Sequence, residues 1–152
     1  MRKLLLLPLL LWACGGEKAP KMDEAAMAAP AALTAAEVVG NYAGATTIDG
    51  TDSVSNWTSM AMTNANGDLV GELVQAAAPD MTIPMVATLS GDSVVWVGGP
   101  YTAMGAAADA PQMMWRAVGR ANGNAWTGTV VWMAAGSDSV MQSGTWTATR
   151  TP

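Results

Sequence analysis

Between Gly40 and Arg150 the chain is cut at short, even intervals by Asp49-Gly50, Asn66-Gly67, Gly91-Asp92, Asn122-Gly123 and Gly136-Ser137. Each pair is a hairpin signal, because the tight turns that match strand twist need positive φ, which glycine, asparagine and aspartate tolerate. Between the pairs, β-branched and aromatic residues alternate with small or polar ones, and no helical period recurs. This pattern predicts strands over 41–48, 54–63, 68–75, 81–90, 93–97, 112–120, 125–134 and 139–150. A segment over 98–111, with Tyr101, Met104 and Asp109, is left as a long connection, either a lid or an alanine-rich excursion.

Eight hairpin-linked strands form a meander whose two edges are exposed unless it closes on itself. An eight-stranded barrel is just wide enough to be filled by side chains or to hold one small ligand. The expected fold class is therefore all-β, an eight-stranded antiparallel up-and-down barrel preceded by one short helical turn. Thr34-Ala35-Ala36-Glu37 supplies that turn as a capping box, and Gly40 ends it.

Alternation assigns the faces. In the fourth strand Met81, Ile83, Met85, Ala87 and Leu89 share a side. Glu72 in the third strand puts Leu69, Gly71 and Leu73 inside, and Arg116 and Arg120 in the sixth put Met113, Trp115 and Ala117 inside. Trp126, Gly128, Val130 and Trp132 share a face, as do Val140, Gln142, Gly144, Trp146 and Ala148. The candidate lining of a ligand site is Trp57, Met85, Trp96, Trp115, Trp132 and Trp146. Those side chains either line a pocket or fill the barrel.

The chain has no histidine and one cysteine, Cys14, so histidine-dependent triads and dyads, histidine-ligated haem and the common zinc sites lack their parts. No cofactor and no metal site is expected. The methionines lack ligand spacing and read as gap fillers. Asp49, Asp52 and Ser53 lack the spacing of a calcium loop, and the Asn56-Trp57-Thr58 sequon reads as incidental.

The start of the chain reads as an address. Met1-Arg2-Lys3 is a positive n-region, and the apolar run from Leu4 to Trp12 is too short to span a bilayer but fits the h-region of a signal peptide. Leu11-Trp12-Ala13-Cys14 resembles the lipobox of bacterial lipoproteins. The resemblance implies cleavage before Cys14 and lipidation of that cysteine, with Gly15 favouring the outer membrane where there are two. Residues 1–13 are then the signal peptide, 14–33 a lipidated cysteine and flexible tether, and 34–152 the barrel. After cleavage Lys18, Lys21, Arg116, Arg120 and Arg150 face twelve acidic residues. So acidic a surface argues against nucleic acid as a partner.

Gly40-Asn41-Tyr42 after a helical turn, eight strands, and Arg150 past the last tryptophan-bearing strand are similar to the calycin group of lipocalins, fatty-acid-binding proteins and avidins. In lipocalins a Gly-x-Trp at the first strand packs beneath an arginine from near the end of the barrel. Here Gly40 and Arg150 match, and Tyr42 stands in for the tryptophan. The resemblance implies structural closure at Gly40, Tyr42 and Arg150. The expected function is non-enzymatic: an envelope lipoprotein held to the membrane through Cys14, whose barrel binds a small hydrophobic ligand or an envelope partner protein. The alternative from another class is a cofactor-free barrel enzyme of cyclase or isomerase type acting on a hydrophobic substrate.

Overall fold

The computed structural model describes residues 32–107 and 109–152. The signal peptide (1–13), Cys14 and most of the tether lie outside the described residues. Leu33, grouped with the tether by composition, donates its backbone N–H to the Gly91 carbonyl at 2.8 Å and packs against the core. The barrel therefore engages the chain before Thr34.

A short helix, α1 (Ala35–Val38), precedes eight strands: β1 (Gly40–Ile48), β2 (Val54–Thr63), β3 (Leu69–Gln75), β4 (Ala78–Ser90), β5 (Ser93–Tyr101), β6 (Met113–Asn122), β7 (Ala125–Ala134) and β8 (Val140–Thr151). Each pairs antiparallel with its sequence neighbour and β1 pairs with β8, so the sheet is a closed up-and-down barrel. Closure satisfies the edge groups that an open meander would leave bare. Glu37 makes α1 compact: its carboxylate accepts from the Thr34 amide at 2.7 Å and the Thr34 hydroxyl at 2.6 Å. Those bonds, the hydroxyl's first, hold the Glu37 carboxyl below its ordinary pKa.

The inward sets read from alternation are inward here except for Val140, which is 57% exposed because the β7–β8 register shifts between Trp132 and Met133 and pairs Val140 with Met133, on the face opposite Trp132. Ile83, Met85, Trp115, Ala117, Trp126, Val130, Trp146 and Ala148 are buried, whereas Glu72, Arg116 and Arg120 are exposed. The outer wall mixes threonine, valine and methionine and carries Glu72 and Arg116, while the interior is mostly apolar with a few uncharged polar side chains.

Two strand boundaries depart from expectation by three residues or more. β4 starts three residues early, because the β3–β4 turn is tight and Ala78 already pairs with Gln75. β5 continues to Tyr101 where a long connection from Gly98 was expected, so the irregular segment is 102–112. Gly98-Gly99-Pro100 reads as turn chemistry, but Gly98 is an inward strand position across from Trp115. A Cβ there would overlap the Trp115 indole, so this glycine answers a packing need. Gly98→Ala is expected to push the indole aside and cost about 1–2 kcal/mol, as core overpacking does, seen as a lower urea midpoint. An unchanged midpoint would show that the interior absorbs the methyl group.

Candidate ligand cavity

The strand directions give the barrel two unlike ends. At one end α1 lies across the opening. Val38 is buried there, the Tyr42 hydroxyl donates to the Val38 carbonyl at 2.7 Å, and Trp126 meets Tyr42 edge-on with ring centroids 6.5 Å apart. Ala61, Leu69 and Val94 fill the space between the strands at this end. The opposite end is framed by the β1–β2, β3–β4, β5–β6 and β7–β8 connections.

Between the packed end and those connections lies a cavity of about 350 Å³. It begins at Val38, Tyr42 and Trp126 and reaches the rim at Ile48, Gln75, Ala103 and Gln142. Of the two alternatives open from sequence, filled or hollow, the barrel is filled at one end and hollow above it. Trp57, Met85, Trp96, Trp115, Trp132 and Trp146, the six candidate residues, all line this cavity.

The rings stand in a hollow because of what they rest on. Trp57 lies over Gly44, Trp115 over Gly98, and Trp146 over Gly119 and Gly128. With no Cβ beneath them, the indoles lie against the barrel wall, so large side chains leave the axis open. Two are also fixed by hydrogen bonds: Trp57 Nε1 donates to Thr46 Oγ1 at 2.9 Å, and Trp146 Nε1 to the Thr129 carbonyl at 3.2 Å. Trp57 and Trp146 face each other with centroids 6.3 Å apart and planes inclined by 56°.

Several lining residues were outside the candidate set. Trp126 had been assigned inward, and Thr46 follows from Tyr42 by the same alternation. Tyr101, read as part of a loop, ends β5 and sits at the mouth. Burial pushes the Tyr101 phenol above its ordinary pKa, partly offset by a hydrogen bond with Trp132. It is therefore neutral at physiological pH. Ser55, Ser59, Gln75 and Gln142 complete the polar part of the lining, and none of them is charged.

The closure residues meet at the packed end. Tyr42 and Arg150 are direct partners across β1 and β8. The Arg150 guanidinium lies 5.6 Å from the Tyr42 ring centre, donates to the Tyr42 hydroxyl at 3.1 Å, and donates to the Glu37 carbonyl of α1. Gly40, with φ of 152°, brings its backbone against this guanidinium, where a Cβ would lie 3.2 Å from Arg150 Nε. Asp49, by contrast, accepts from the Ser143 hydroxyl at 2.6 Å in an exposed turn. Compared with family models, with curated proteins and with solved structures, the chain finds no match in any of the three.

Proposed function

We propose that this protein is a lipid-anchored lipoprotein of the bacterial envelope, on the outer membrane where there are two, whose calycin-like barrel binds a small hydrophobic ligand without transforming it. The observation that carries the reading is the hollow itself. All six tryptophans among the described residues face one cavity, which a barrel of this strand number and with these side chains had the means to fill. Its volume of about 350 Å³ falls at the lower end of the roughly 300–1,000 Å³ typical of small-molecule sites, and its mixture of many apolar groups with a few polar ones is the usual make-up of such sites.

The chemistry of the lining supports binding over catalysis. Among the described residues the cavity wall has no carboxylate, amine, imidazole or thiol, and its hydroxyls have no base beside them to activate one as a nucleophile. Anchoring rests on Cys14 and the apolar run before it.

The test is native mass spectrometry of the protein extracted from its own membranes. A non-covalent small molecule that leaves on gentle activation is expected, with a mass suited to the cavity. Protein that flies at the lipidated mass alone, across several mild extractions, would replace the binding reading with that of a surface presented to a partner protein.

A further inference from the structure

We infer that the ligand of this cavity is an uncharged ring compound bearing a carbonyl or similar acceptor oxygen, an inference that rests on the ligand-binding reading above. Charge, hydrogen-bonding capacity and shape each narrow the class.

None of the lining residues is charged, and the chain has no histidine. A charged ligand would shed its hydration there without meeting a counter-ion. Anions face a second obstacle at the mouth. Its connections carry Asp49, Asp52, Asp109 and Asp138 and no basic residue. The basic residues among the described ones are elsewhere: Arg150 at the packed end, Arg120 there too and paired with Asp92, and Arg116 exposed on the outer wall. The field at the entrance therefore repels negative ligands.

Hydrogen bonding separates neutral ligands from cations. Trp96, Trp115 and Trp126 are only 9%, 7% and 4% exposed, and their indole N–H groups donate to no acceptor among the described residues. Yet no side-chain polar atom among those residues is both sealed off and unpaired. These N–H groups therefore keep some accessible surface, and because their rings line the cavity we take that surface to open onto it. An indole N–H is a donor and never an acceptor. The wall presents unpaired donors to its occupant, and an acceptor oxygen satisfies them where a cation cannot. The shape argues against a long acyl chain, since six flat indoles around about 350 Å³ offer stacking and edge contacts that reward rings.

The test uses the full lipidated protein in nanodiscs, with empty nanodiscs as the blank, and calorimetric titration of four probes of one shape: 2-acetylnaphthalene, 2-isopropylnaphthalene, 2-naphthoate and trimethyl(2-naphthyl)ammonium. The ketone is expected to bind about fivefold tighter than the isosteric hydrocarbon, the effect of one net hydrogen bond. The two ions are expected to bind at least about tenfold more weakly than the ketone. Trp96→Phe, Trp115→Phe and Trp126→Phe each keep a ring and remove the N–H. At least one of these variants should lower the ketone-to-hydrocarbon affinity ratio from about five to about one, whereas lost ring contact alone weakens both probes alike and leaves that ratio unchanged. Equal affinity of ketone and hydrocarbon in the native protein would overturn the acceptor claim, and tightest binding by the ammonium probe would overturn neutrality in favour of a cation held by ring faces. If none of the four binds, the ligand-binding reading falls with it.

Discussion

Cys14→Ser is expected to leave an uncleaved precursor that takes up no label from a fatty-acid analogue, and the native chain is expected to be cleaved and labelled. The effect is all or none because the change removes the acceptor atom: a serine hydroxyl cannot form the thioether that a lipoprotein signal peptidase requires. On the proposed reading, acylation would also set the strength of attachment. Each buried CH₂ contributes about 0.8 kcal/mol, so one chain holds a protein only marginally and several hold it stably. The chain has no second cysteine to substitute. The barrel begins well after this position, with α1 at Ala35, so thermal unfolding of the variant should match that of the native chain. Fatty-acid labelling that persists in the serine variant would refute the lipoprotein reading.

Most of the architecture was legible because hairpins are local. Asp49-Gly50, Asn66-Gly67, Gly91-Asp92, Asn122-Gly123 and Gly136-Ser137 separate strands where period-2 alternation also breaks, and two independent local signals agreed at each place. β2 (Val54–Thr63) and β7 (Ala125–Ala134) run as expected to the residue. The failure at Gly98 has a physical cause. A glycine required by a turn and a glycine required by a ring packed over it look identical in one sequence, and only the partner Trp115 across β5 and β6 tells them apart. The cavity was legible in membership but not in existence. Alternation assigns a side to each tryptophan, while the space between them depends on whether each indole lies along the wall or across the axis. That orientation is set by pairings between strands, such as Trp57 over Gly44 and Trp146 over Gly119 and Gly128. None of these pairings is a local property of any segment.

Arg150→Ala is expected to lower stability by about 2–3 kcal/mol, and Arg120→Ala by no more than about 0.5 kcal/mol. Both arginines hydrogen-bond and both stand near the packed end, so the difference lies in what each holds. Arg120 meets Asp92 at 3.3 Å with its side chain 71% exposed, and exposed pairs of this kind contribute little. Arg150 joins three separate parts of the chain. It donates to the Glu37 carbonyl of α1 and to the Tyr42 hydroxyl of β1 while its own backbone belongs to β8. Hydrogen bonds from a charged group contribute roughly 1.5–3 kcal/mol each when well formed, and the guanidinium over the Tyr42 ring adds about 0.5–1 kcal/mol. Partial exposure reduces that total. Alanine also leaves the Glu37 carbonyl without its donor and opens space against Gly40. The loss should therefore be felt first as fraying of α1, which forms the floor of the cavity through Val38. Hydrogen exchange is expected to show faster exchange at the amides of Glu37, Val38 and Val39 in Arg150→Ala and no change there in Arg120→Ala. Equal urea midpoints for the two variants would mean that β1 and β8 close the barrel through their backbone ladder alone, and that the guanidinium beneath Gly40-Asn41-Tyr42 does not stabilise the fold.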